Sequence, residues 1–414
     1  MRNPIVAFAA AALLAACASA PQDAPETPKS MRSDSSSVQM TSSTFYQAGE
    51  PYAVGSIPVA TLHDGQRNKD LNMAIEYPTR GGGYPVIVFS HGYGSSSEGY
   101  TSLTEYWTSH GYVVIKPSHA DAGALRKILA ERRERRMQEV EKAKAASMSR
   151  RDLGKLESQP MPDDDMNEAL WAAQTPADWQ NRALDIKLIL DSLAALQENY
   201  PELKGKMDTS KIGVAGHSYG AFTTMLLTGA TSTKLGRDFA DPRIKAAIAM
   251  SPQGTGDQYA LTAQSWANVK TPILYMTGSL DRGVVNHDDP KWRHDPFQYS
   301  PNGDKVFISF EGARHLTFAG GLAFDPRDIQ MTGPSYTPIQ TVDEYGRPMI
   351  VQERTPSREK GEREYLRERN IFAAVKSASL AFWDDYLKSQ DKAKDFVAKG
   401  LEGLNGGHVT VERK

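Results

Sequence analysis

Read for the spacing of its apolar positions, the chain alternates between short, nearly unbroken apolar runs and longer stretches whose apolar residues recur every three or four positions. The runs at 85–90, 113–117, 211–215, 244–250, 271–278 and 305–310 are rich in Val, Ile, Leu, Phe, Met and Ala. Runs of that length and composition predict strands buried on both faces. The stretches 179–190 and 221–227 show helical spacing, and so does 370–388. In the last, Ile371, Phe372, Val375, Ala378, Leu380, Ala381, Phe382 and Leu387 are expected to pack on a sheet. Strands alternating with helices predict an α/β class: a mostly parallel central sheet with helices on both faces.

Two segments break this rhythm and read as insertions. The first runs from about 121 to 176. Its first half, 124–146, mixes Arg, Lys and Glu with a thin stripe of Leu125, Ile128, Leu129, Met137 and Val140. That pattern predicts an amphipathic helix over the mouth of a site: either a lid whose basic excess meets anionic lipid, or a plain solvated helix. The second, 324–361, holds a hairpin turn at 343–348 and is expected to wall a pocket. Residues 46–414 then form one domain with two insertions rather than two domains.

At the N-terminus, Arg2 precedes an apolar run over 5–16, short of the ~20 residues of a membrane span and in keeping with a signal peptide over 1–16. Leu14-Ala15-Ala16-Cys17 resembles the lipobox of bacterial lipoproteins, which implies lipidation at Cys17, the single cysteine. Ala18 and Ser19 after it fit outer-membrane sorting by that resemblance. Simple secretion, with cleavage after Ala18-Ser19-Ala20, is the alternative. Residues 17–45, rich in Pro, Ser, Thr and Gln, read as a disordered tether. With Cys17 so used, no disulfide is available and the packed core must carry stability. A net charge of −2 gives no basic field for nucleic acid.

The chemistry centres on Gly216-His217-Ser218-Tyr219-Gly220, set between an apolar strand and a helix. Gly-x-Ser-x-Gly in that setting is a nucleophile elbow: the glycines permit a tight turn and the serine is pushed out above the sheet edge. A serine hydroxyl needs a base, an orienting acid and donors for the developing oxyanion. Asp281, in the turn after 271–278, is the acid candidate, with Asp257 as the alternative. Asp288 and Asp289 read as solvated charges. His315, after 305–310, is the base candidate. His63, His110 and His119 precede the nucleophile, His91 and His217 sit in glycine turns, His287 and His294 follow the acid too soon, and His408 lies in a polar tail. The grouping of His287, Asp288, Asp289, His294 and Asp295 matches no common ligand spacing, so neither a metal nor an organic cofactor is expected. The oxyanion donors are expected from the backbone amides of Tyr219 and of Tyr93, on the glycine loop after 85–90.

These motifs resemble the α/β-hydrolase superfamily, in the neighbourhood of cutinases and polyester hydrolases, dienelactone-hydrolase-like proteins, chlorophyllases and platelet-activating-factor acetylhydrolases. The resemblance is carried by 85–94, 109–114, 216–220, 278–281 and the histidine loop. It implies the α/β-hydrolase fold and an ester hydrolase acting on a small or lipid-like ester. The acetylhydrolases place their acid directly after the strand that follows the nucleophile helix, where this chain has Met250-Ser251-Pro252. That difference favours the cutinase-like and dienelactone-like arrangement and speaks against a phospholipid substrate. A peptidase or amidase on the same fold, or a non-catalytic envelope binding module, are the competing readings.

Overall fold

The structure is a computed structural model that describes residues 45–153, 174–283, 289–320, 336–342, 348–354 and 360–414. The expected signal peptide, the lipid attachment at Cys17 and the tether up to residue 44 lie outside the described residues. In chain order the elements are β1 (Val54–Asp64), β2 (Lys69–Pro78), β3 (Tyr84–Ser90), α1 (Thr101–Ser109), β4 (Val113–Pro117) and α2 (Ala124–Ala145). Next come α3 (Pro176–Asp191), α4 (Leu193–Asn199), β5 (Met207–His217), α5 (Tyr219–Leu227), β6 (Ile244–Met250), β7 (Ile273–Leu280), α6 (Asp295–Tyr299) and β8 (Lys305–Arg314). The chain finishes with β9 (Tyr336–Val342), β10 (Pro348–Arg354), α7 (Lys360–Lys388), α8 (Asp391–Lys399) and β11 (Val409–Arg413).

Among the described residues, one sheet takes nine strands in the order β1-β2-β4-β3-β5-β6-β7-β8-β11. From β4 to β8 each pairing is parallel, and antiparallel pairs close the two edges. This mixed α/β architecture fits the class expected. Successive residues of the central strands enter two separate cores. Val86, Val88, Val214, Ala247 and Tyr275 face α3 and α5 on one side, while Ile87, Phe89, Ala215, Ile248 and Met276 face α1 and α7 on the other. Both faces being covered, neither can be polar, which is why these strands read as continuous apolar runs.

Helix α3 starts where Thr175 accepts from the Asp178 amide, Asp178 returns the bond, and Pro176 occupies the first turn. Four features differ from expectation. The polar tail after residue 408 forms β11, paired with β8 at the sheet edge, and His408 Nδ1 lies 3.1 Å from Glu311. The helix expected from residue 370 begins at Lys360. In α2, Val140 is buried but Met137 is exposed; the side chains of Leu125, Ile128 and Leu129 lie outside the described residues. Asp121, taken as the start of an insertion, has a side chain only 10% exposed and belongs to the body of the domain. Strands β9 and β10 pair antiparallel, on either side of the expected turn, most of which lies outside the described residues. Among the described residues no helix is long and apolar enough to cross a membrane.

Candidate active site

The parallel strands all point their carboxyl ends at one edge, and the site assembles there. β5 ends at His217 and α5 begins at Tyr219, so Ser218 must reverse the chain alone. It does so at φ 55° and ψ −118°, a conformation that costs a non-glycine residue of order 1–3 kcal/mol. The surroundings enforce it. A side chain on Gly216 would meet the Gly220 backbone, with the Gly220 Cα 2.9 Å away, and one on Gly220 would lie 2.6 Å from the Ser90 carbonyl carbon. The Ser218 amide donates to Met250 O at 2.9 Å, tying the turn to the end of β6.

The structure brings Ser218, His315 and Asp281 together. His315 opens the short helical turn after β8, and its Nε2 lies 2.9 Å from Ser218 Oγ. Its Nδ1 lies 2.8 Å from Asp281 Oδ1. The carboxylate can only accept, so Nδ1 carries the proton and Nε2 is left to accept from the serine hydroxyl. Asp281 is fully buried at the end of β7, and Thr277 Oγ1 donates to its second oxygen at 2.9 Å. Burial would push this carboxyl up, but Arg293 and His315 together hold it well below the usual carboxylate range.

Arg293 was not singled out from the sequence. Its guanidinium is buried behind Asp281, with Nε 3.0 Å from the carboxylate Oδ1. It donates to the carbonyls of Asp281, Ser251, Pro252 and Arg282 at 2.7–3.0 Å. One side chain thus joins the loop after β6 to the loop after β7. It sits in a charged segment, Lys291-Trp292-Arg293-His294, that reads as surface, so no local signal marks it.

The other candidates go elsewhere. Asp257 is exposed in a turn. Asp289 accepts from the Lys291 amide, Asp295 from the amide and hydroxyl of Thr255, and His294 Nε2 lies 2.9 Å from Glu412. His287 and Asp288 lie outside the described residues. His217 is buried beside His315, with ring centroids 4.7 Å apart. Its Nε2 meets the His315 carbonyl at 2.7 Å and its Nδ1 meets the Tyr100 hydroxyl at 2.8 Å. Burial, followed by the neighbouring His315, lowers its pKa well below the ordinary histidine value, so it stays neutral.

On the loop after β3, the Gly92 amide donates to the Tyr100 hydroxyl at 3.1 Å. The Gly94 amide donates to Asp121 at 2.9 Å, and the Ser95 amide to Gly92 O at 3.2 Å. Gly94 has φ +69°, the sign a type II turn requires at its third residue. Of these four successive amides, only that of Tyr93 finds no acceptor among the described residues. The Tyr219 amide opens α5 and so has no partner one turn back. The two aromatic rings stand 6.3 Å apart between centroids.

Residues 56–321 match the family model described as platelet-activating factor acetylhydrolase, isoform II. Curated relatives include the platelet-activating factor acetylhydrolase of Canis lupus familiaris, 23% identical over 244 residues, which is 57% of this chain and 48% of that protein. That of Cavia porcellus is 23% identical over 247 residues, again 57% and 48%. The chain spans about half the length of these relatives. The family matched is therefore the acetylhydrolase one, although the position of the acid candidate pointed towards the cutinase-like and dienelactone-like arrangement.

Proposed function

We infer that this chain, which belongs to the platelet-activating factor acetylhydrolase isoform II family, is a serine hydrolase that cleaves carboxylic esters through an acyl-enzyme. One observation carries the reading: the unbroken hydrogen-bond line from Ser218 Oγ to His315 at 2.9 Å and on to Asp281 at 2.8 Å. His315 Nε2 takes the hydroxyl proton as Ser218 Oγ attacks the ester carbonyl, and Asp281 holds the ring and stabilises the imidazolium that forms. The tetrahedral oxyanion accepts from the amides of Tyr93 and Tyr219. The alcohol leaves with the proton from His315. Water then repeats the cycle on the acyl-serine and frees the acid.

The name of the relatives supports a small or lipid-like ester with a short acyl group as the substrate class. The N-terminal sequence supports delivery to the bacterial cell envelope with a lipid on Cys17, in the outer membrane; a Cys17→Ser protein recovered from the soluble rather than the membrane fraction is the expected outcome. The reading is tested with p-nitrophenyl acetate and a fluorophosphonate probe. Turnover and labelling that map to Ser218 and vanish in Ser218→Ala support it. A folded Ser218→Ala protein with undiminished turnover removes the serine from the mechanism.

A further inference from the structure

Behind the Tyr93 loop lies a second cluster of charged and polar side chains that the reaction above does not use. Arg182 projects from α3 and is 2% exposed. Its Nε and Nη2 donate to the two oxygens of Asp121 at 3.0 and 2.8 Å, a bidentate pair. Burial works against the Asp121 charge, but Arg182 prevails and holds the carboxyl well below its usual range. From this pair two bonds reach the loop on either side of Tyr93. Arg182 Nη1 donates to the His91 carbonyl at 2.7 Å, and Asp121 Oδ2 accepts from the Gly94 amide at 2.9 Å. The guanidinium also lies over the Tyr219 ring, its Cζ 4.0 Å from the centroid. The pair therefore grips the loop on both sides of Tyr93 and lies against the Tyr219 ring.

The rest of the cluster backs it. Arg182 Nη1 lies 3.3 Å from Ser90 Oγ, which meets His119 Nε2 at 2.9 Å, and His119 Nδ1 meets Asp185 at 3.0 Å. This second serine–histidine–aspartate line is sealed from solvent, all three residues being buried. It has no access to a substrate and is a wall, not a site. Burying an ion pair costs several kcal/mol of desolvation per ion and is often matched by apolar packing. Here the pair supplies what apolar side chains cannot: a donor to one peptide and an acceptor from another, three residues apart, beside the tie of the Gly92 amide to Tyr100.

We propose that Arg182 and Asp121 are positioning residues for the oxyanion pocket, holding the Tyr93 amide towards Ser218 and leaving it free for substrate; the role rests on the ester-hydrolase reading. The experiment compares wild type, Arg182→Gln, Arg182→Lys and Asp121→Asn. It follows kcat and KM for p-nitrophenyl acetate, the rate and final extent of fluorophosphonate labelling, and thermal unfolding. The extent counts competent sites, while the rate reads the pocket, because the phosphoryl oxygen occupies the oxyanion position. Arg182→Gln is expected to lower kcat per labelled site on the order of 10²-fold, the scale of an ångström-sized misplacement of a reacting group, with the labelling rate falling in parallel and KM little changed. Lysine cannot span both partners, so Arg182→Lys should recover only part of the loss. If the Arg182 variants do not fold, Asp121→Asn carries the test with the same expectation. Full kcat per labelled site in a variant with a lowered melting temperature would overturn the proposal, leaving the pair a packing element. A wild-type protein that neither turns over the ester nor labels at Ser218 fails the ester-hydrolase reading itself, a result separate from any variant effect.

Discussion

Replacing Gly220 by alanine tests how far the geometry at Ser218 depends on close backbone packing. The new methyl would lie 2.6 Å from the Ser90 carbonyl carbon and 2.9 Å from His91 O, and both are backbone atoms with no rotamer to change. Recovering an ordinary 3.4 Å separation from that carbon means a retreat from 2.6 Å, or 0.8 Å. Ser90 ends β3 and His91 begins the Tyr93 loop, so the retreat moves that loop away from the serine turn. Overpacking of this kind costs about 1–3 kcal/mol of stability. A displacement approaching an ångström costs on the order of 10² in rate, equivalent to about 2.7 kcal/mol in activation free energy. The assay is kcat/KM on p-nitrophenyl acetate alongside thermal unfolding followed by circular dichroism. Gly236→Ala is the control: it is exposed and a Cβ there meets nothing within 4 Å, so both readouts should stay at wild type. A Gly220→Ala protein that melts lower yet keeps its full kcat/KM would show that the β3 end and the serine turn are not coupled, and would refute the reasoning.

Asp281→Asn should leave the fold in place and lower kcat by up to about 10⁴-fold, because the amide can present a donor to Nδ1 and turn the ring to the wrong tautomer; steady-state kinetics on the same ester, per labelled site, read it, and an unaltered kcat would take Asp281 out of the acid role. The folded-state pKa of Asp281 lies below that of an unfolded aspartate, about 3.9. Its ionised form therefore contributes stability that is present above that pH and lost as pH falls further below it. Melting curves between about pH 5 and pH 2 should fall less steeply for Asp281→Asn than for wild type, and parallel curves would contradict the assignment.

The site candidates were readable from sequence where a single local constraint spoke. The glycines at 216 and 220 mark a backbone crossing too close for any side chain, and that crossing can sit only between a strand and a helix. Asp281 and His315 were readable because parallel strands deliver whatever follows them to one edge. Arg293 was not, since its partners, the Asp281 carboxylate and the carbonyls of residues 251, 252, 281 and 282, are remote in sequence, and nothing in a charged stretch foretells long-range burial. Arg182 did leave a trace: it shares a helix face with the buried Trp179, Ala183, Ile186 and Ile189, and a charge on an apolar stripe needs a buried partner. The partner, Asp121, was hidden at the edge of a segment read as an insertion. β11 escaped because an edge strand needs only one apolar face, and Val409 and Val411 alternating with Thr410 and Glu412 make too short a pattern to stand out from a tail.

The neutral ring of His217 has a mechanical consequence. From the Gly92 amide through the Tyr100 phenol, across that imidazole and into the carbonyl of residue 315, four groups form a continuous strut. The phenol's own pKa, pushed up to about 12 by burial, keeps its proton in place along the way. The loop that carries His315 and the loop that carries Tyr93 are thus braced against each other. Neither can swing away from the other without breaking the brace. Under the ester-hydrolase proposal, any adaptation to the size of the substrate has to come from residues outside this inner frame.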